Sequence, residues 1–229
     1  MRTAVPIHLN GLKWSEFRQV VACIVRVLVD STRTVDIMVA EELTSQAQLR
    51  YLLSHHMMPD ADWKGLFGGQ PCFSEICMDD LMSHPAHTLG GALARFHRSN
   101  SLSPSIYHHP TPFTADPEAA YLMQRIRQCH DVWHVLTGLG VQGHEEILLH
   151  AFSLAQTGLP SSVALMLLGS IKHMLLEGRL RTFRRGIREA YDVGRRCESL
   201  LAVHWERHFT DSVESIRKRY GVRTLSHYS

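Results

Sequence analysis

The chain has 229 residues, 45% of them hydrophobic and 20% charged, which provides material for a packed core and argues against a disordered chain. Its 24 basic and 22 acidic residues nearly balance, leaving a formal charge of +2 and arguing against nucleic acid as a partner. Five cysteines (Cys23, Cys72, Cys77, Cys129 and Cys197) form an odd set without a Cys-x-x-Cys pair, which argues against a disulfide framework or a thiolate zinc site and fits a reducing compartment.

The opening residues MRTAVPIHLNGLKW lack the apolar stretch of a signal peptide. Trp14 to Val29 then reads as a helix. Phe17, Val20, Val21, Ile24, Val25 and Leu28 recur at threes and fours and predict one broad apolar face. The apolar runs at 20–29 and 163–169 are too short or too interrupted to span a bilayer, which takes about 20 residues, so any membrane contact is expected from the side. A second helix is predicted at 41–58, ending near Pro59-Asp60. Gly68-Gly69 and Pro71 mark a break, and 74–84 is short and of undecided type. Thr88 to Phe96 reads as a helix with Leu89, Ala92, Leu93 and Phe96 on one side.

Residues 100–118, rich in proline and small polar residues, form the long loop. It ends in a helix start, with Asp116 as cap and Pro117 at the first helical position. That helix is predicted to run to Thr137 and stop at Gly138, with Leu122, Ile126, Cys129, Trp133 and Leu136 as its stripe. Gly138, Gly140 and Gly143 make a tight connection to a helix from about His144 to Thr157. Further helices are predicted at 161–176, 180–198 and 199–219. No run alternates long enough to make a strand. The expected fold is mainly α: a single-domain helical bundle over 1–229, containing a metal-binding helical hairpin.

The stretch CHDVWHVLTGLGVQGHEE (129–146) carries the chemistry. His130 and His134 are one helical turn apart and can aim at one point, with Asp131 on the adjoining edge. Arg127, four residues before Asp131, lies on its side and can hold that carboxylate. Two imidazoles and a carboxylate suit zinc or non-haem iron. The glycine-rich turn lets the next helix fold back, bringing a glutamate of its first turn beside His134. Polar residues flanking an apolar stripe are more usually a solvated helix face, and spacing does not choose between Glu145 and Glu146.

The residues around this motif resemble the coenzyme Q (ubiquinone) biosynthesis family numbered four, the Coq-four family. His130-Asp131-x-x-His134, eleven residues, then Glu146 follows its signature. AQTGLP (155–160), Arg127 before the motif, TLGGALARF (88–96), FTADPEAAY (113–121), HWERHF (204–209) and SIRKRYGV (215–222) extend the likeness over 81–222. The resemblance implies a helical protein binding a divalent metal, Zn2+ or alternatively Fe2+, through His130, Asp131, His134 and Glu146, with Arg127 supporting. It implies metal-dependent decarboxylation, with hydroxylation, at carbon 1 of a polyprenylated hydroxybenzoate. A lyase is therefore expected, and the alternative is a non-catalytic lipid-binding scaffold that organises the other ubiquinone biosynthesis enzymes. Expected partners are the prenylated benzoate or quinone lipid, those enzymes, a membrane surface and a second copy of the chain. The expected location is cytoplasmic, on the inner face of the cell membrane, or the matrix side of the mitochondrial inner membrane in a eukaryote. Two positions depart from the family pattern: Glu145 replaces a glycine, and His150 replaces a lysine and becomes a candidate supporting residue one turn beyond Glu146.

A prenyl tail needs an apolar channel, for which the helices at 14–29 and 161–176 are candidates beside their ordinary role in the core. Arg179, Arg181, Arg184, Arg185, Arg188, Arg195 and Arg196, interleaved with Leu180, Phe183 and Ile187, make either a surface for anionic lipid or a solvated basic face. Trp205, Glu206 and Arg207 are expected to serve packing or a dimer contact.

Overall fold

The computed structural model describes residues 5–9, 11–30, 33–56, 61–73, 76–103, 110–177, 180–225 and 228. Among these the chain forms ten α-helices: α1 (Trp14–Val29), α2 (Thr34–His56), α3 (Ala61–Gly69), α4 (Met78–Met82), α5 (Leu89–Ser99), α6 (Pro117–Thr137), α7 (Gly143–Thr157), α8 (Pro160–Glu177), α9 (Leu180–Arg196) and α10 (Val213–Tyr220). A 3₁₀ turn at Trp205–His208 precedes the last. The isolated bridge between Thr88 and Ser212 is the only strand-like pairing among the described residues. No helix of these residues is long and apolar enough to cross a membrane.

The expected helical bundle is present, with α6 and α7 at its centre. Leu122, Cys129, Val132, Trp133 and Leu136 of α6 are buried, as are Leu148, Leu149 and Phe152 of α7. Trp133 and Phe152 meet edge to face, with ring centres 5.8 Å apart. On its other side α7 lies close against α9. A Cβ at Gly194 would stand 2.6 Å from the Phe152 carbonyl oxygen, so only glycine permits this approach.

Three expectations need correction. α2 begins at Thr34, a turn and more before position 41, because its inner face carries the buried Glu42, Ser45 and Gln48, which break an apolar stripe. The span 199–219 is not one helix. Leu200, Leu201, Ala202 and Val203 are all buried in succession, which no single helix face allows, and the chain becomes helical only at Trp205 and again at Val213. The α1 stripe is divided: Val20 and Cys23 face inward, whereas Phe17, Val21 and Val25 face outward with Trp14 and Val29.

In α9, Arg184, Arg185, Arg188 and Arg196 are exposed, Arg195 pairs with Asp192, and Ile187 packs against the core. Arg179 lies outside the described residues, as do the side chains of Leu180, Arg181 and Phe183.

Candidate metal centre

Local signals fix the α6–α7 hairpin at each end. The Asp116 carboxylate accepts from the Glu118 N–H with Pro117 at the first helical position, and Gly138 ends α6 at φ 75°. Arg217 of α10 donates to the carbonyls of Leu136 and Val135, satisfying the last turn of α6. At the start of α7, Glu145 accepts from the amides of Gly140 (2.8 Å) and Gln142 (3.1 Å). A Cβ at Gly140 would come within 2.6 Å of that carboxylate. Glu145 is thereby committed to the turn, and Glu146 is the residue that faces α6.

Three ligand-type atoms converge. His130 Nε2 and His134 Nε2 are 3.2 Å apart. One Glu146 oxygen is 3.3 Å from His130 Nε2, and the other is 3.4 Å from His134 Nε2. Donor atoms 2.0–2.1 Å from a tetrahedral ion stand about 3.3 Å from one another, so the triangle fits a zinc-sized divalent ion. His134 is held in a fixed orientation. Its Nδ1–H donates to the Leu139 carbonyl at 3.1 Å, leaving Nε2 with its lone pair toward the cluster, and Phe96 stacks on the ring at 5.0 Å.

The electrostatics follow from this crowding. Burial alone would lower the pKa of His130, but the hydrogen bond and charge of Glu146 outweigh it, and the imidazole is raised above 6.5. Burial works against the Glu146 charge, but bonds from His130 and His134 hold its carboxyl well below the usual carboxylate range. Burial, and then the neighbouring His130 charge, push His150 down to about 4, so it is neutral.

Asp131 and Arg127 stand differently from the expectation. Asp131 Oδ2 meets His97 Nε2 of α5 at 3.0 Å, and Asp131 is not among the residues whose ligand-type atoms cluster. Arg127 does not reach Asp131. It donates to Glu42 (2.8 Å), Glu41 (3.4 Å) and the Met38 carbonyl (3.3 Å), because α2 packs beside α6 and presents two carboxylates there. His150 lies beside the cluster, its ring centre 5.6 Å from that of His130, and like Asp131 it is not one of the three clustered residues.

The cluster sits in the wall of a cavity of about 720 Å³. Val27 of α1, with Ile37 and Met38 of α2, forms one apolar side. Leu159, Leu165 and Leu168 form another. Arg127, Asp131 and His150 also line it. Both candidate channel helices thus contribute to its walls.

Sequence reasoning missed His97, Glu41 and Glu42. For His97 a signal existed, since it continues the Leu89–Leu93 register on the buried side of α5. For the two glutamates none existed, because their role depends on where α2 docks.

Such a molecule belongs to the class of mainly helical proteins that carry a trio of side chains of metal-ligand type on the wall of an apolar cavity. The profile of the coenzyme Q (ubiquinone) biosynthesis protein Coq4 matches residues 6–226, and the chain belongs to that family. The mitochondrial ubiquinone biosynthesis protein COQ4 homolog of Bos taurus is 30% identical over 197 residues, 85% of this chain and 73% of the bovine one. The mitochondrial COQ4 protein of Coprinopsis cinerea is 30% identical over 149 residues, 65% of this chain and 50% of that protein. The chain spans about half the length of the Coprinopsis relative and of a similar one from Eremothecium gossypii. A crystal structure from Nostoc punctiforme PCC 73102, described as a ubiquinone biosynthesis protein, superimposes with a TM-score of 0.70 at 26% identity. That match covers 89% of this chain and 97% of the other.

Proposed function

We propose that this member of a ubiquinone biosynthesis family replaces the ring carboxylate of a polyprenylated hydroxybenzoate with a hydroxyl group, one carboxylic acid, one dioxygen and one water giving the phenol, carbon dioxide and hydrogen peroxide. The observation that carries the reading is the convergence of His130, His134 and Glu146 on the wall of an apolar cavity large enough for a prenyl chain. These three residues would hold a divalent ion, which would supply positive charge for the ring carboxylate. The apolar side chains of α1, α2 and α8 take up the tail and exclude water, which strengthens every charge interaction at the ring. Arg127, held by Glu41 and Glu42, fixes one edge of the site. His150, neutral at physiological pH, adds no charge to oppose the ion.

The substrate resides in a membrane, and α1 offers a route to it. Trp14 is 72% exposed, Phe17, Val21, Val25 and Val29 follow on the outward side, and Val27 of the same helix lines the cavity. A helix that rests on lipid with one face and walls the cavity with another delivers a tail without exposing it to water.

The test is incubation of the purified, metal-loaded protein with a prenylated 4-hydroxybenzoate carrying labelled carboxyl carbon, with release of labelled carbon dioxide as the readout. Turnover in wild type and its loss in His134→Ala support the reading. Tight binding of the lipid without release of label favours the non-catalytic scaffold.

A further inference from the structure

Two features of the centre depart from the four-ligand set that the motif implies. His130 and His134 are one turn apart on α6, and Glu146 and His150 are one turn apart on α7. The hairpin therefore faces two such pairs toward each other. Asp131, the remaining member of the motif, is engaged at 3.0 Å by His97, a residue only 3% exposed.

We infer that the ion is held by His130, His134, His150 and Glu146, three nitrogens and one carboxylate, with Asp131 outside the shell and secured by His97. The inference rests on the metal-dependent reading above. Imidazoles that share one tetrahedral ion have ring centres about 5 Å apart. The His130–His134 and His130–His150 separations, 4.8 and 5.6 Å, lie on either side of that value. His150 has no hydrogen-bond partner among the described residues, so its ring turns toward an ion without breaking a bond. It lines the same cavity as the other three. Asp131 is in the opposite position. Its Oδ2 is taken by the buried His97, so that oxygen would have to give up a hydrogen-bond partner to ligate the ion. Three imidazoles with one carboxylate suit zinc and the neighbouring divalent metals.

Zinc-edge X-ray absorption of the zinc-loaded full chain counts bound imidazoles, and chelator competition gives the affinity. Wild type should show three imidazoles. His150→Gln should show two and bind zinc on the order of 100-fold more weakly. Asp131→Asn should keep three, with affinity changed by less than about tenfold. His150 is only partly buried, and the same loss in His150→Ala, with an unchanged circular dichroism melt of the zinc-free proteins, separates ligation from folding. Two imidazoles in wild type and no change in His150→Gln would overturn the inference, as would loss of zinc in Asp131→Asn. A wild-type chain that takes up no zinc at all would instead bring down the metal-dependent reading on which it rests.

Discussion

Arg125 and Glu206 form a bidentate ion pair inside the molecule, 81 residues apart in sequence. The guanidinium is fully buried. It donates to the two Glu206 oxygens at 2.5 and 3.1 Å and to the Val203 carbonyl at 2.8 Å, and lies over the Phe73 ring. The pair ties the centre of α6 to the buried segment that follows α9. Of the roles expected for Trp205 and Glu206, packing is the one the fold displays. Glu206→Ala leaves a buried cation without its counter-charge and should cost about 3–5 kcal/mol in urea unfolding. Arg125→Met with Glu206→Leu should recover most of that loss, since an apolar pair of similar volume avoids desolvating two charges. A cost near zero for Glu206→Ala would show that the pair contributes little.

The zinc-free protein should have a defined pH window. Glu146 has a lowered pKa, so its contribution to stability is complete above its ordinary 4.5 and disappears as pH falls through the lower folded value. His130 has a raised pKa, so its contribution is complete below 6.5 and fades as pH rises through the higher folded value. Both act fully only between about 4.5 and 6.5. Bound metal reverses the histidine dependence, because a proton on His130 competes with the ion. Thermal melts from pH 4 to 9 should therefore show metal stabilising the protein more at high pH than at low. An equal effect across the range would count against His130 as a ligand.

Gln156 is a buried junction between α7 and the end of α9. Its Nε2 donates to the Gly194 carbonyl at 2.6 Å and to that of Glu198 at 3.3 Å, and its Oε1 accepts from the Leu200 N–H at 3.0 Å. Gln156→Leu removes these partners and should destabilise the fold by about 1–3 kcal/mol for each backbone group it strands. The metal affinity of the folded variant should be unchanged, since no ligand moves. A variant of wild-type stability that lost metal would assign Gln156 to the centre.

The outward side of α1 is testable with vesicles. Replacing Trp14 and Val25 with aspartate should weaken vesicle binding by at least about 100-fold, given about 1.5–3 kcal/mol for each large apolar side chain withdrawn from water. Because both residues are exposed in the fold, stability should stay near wild type. Binding that survives these changes but fails without anionic lipid would move the contact to the arginines of α9.

The hairpin was legible because its signals are local: the Asp116-Pro117 start, the Gly138 stop and two histidines at a helical repeat. The glutamate that faces the histidines was not, since Glu145 and Glu146 differ only in which amides the turn presents to them. The resemblance to a known motif selected Glu146, and the bonds from Gly140 and Gln142 to Glu145 give the physical reason. The partners of Arg127 and Asp131 come from α2 and α5, separated from them by 85 and 34 residues. Helical periodicity carries no information at that range. The QTGLP segment at 156–160 is a structural junction. Gln156 bridges helices, the Thr157 carbonyl accepts from Gln48, and a Cβ at Gly158 would stand 2.5 Å from the Gln48 amide nitrogen.

The turn between α6 and α7 does two jobs with one length of chain. The Leu139 carbonyl sets the tautomer of His134, and the Gly140 and Gln142 amides lock Glu145, which leaves the next residue facing the histidines. The turn is thus the gauge of the centre. A single added or missing residue would shift the carbonyl that orients His134 and rotate the helix that supplies Glu146, by about 100° for each residue of helix. Anyone grafting this centre onto another helical hairpin would have to carry 130–150 across as one uncut block.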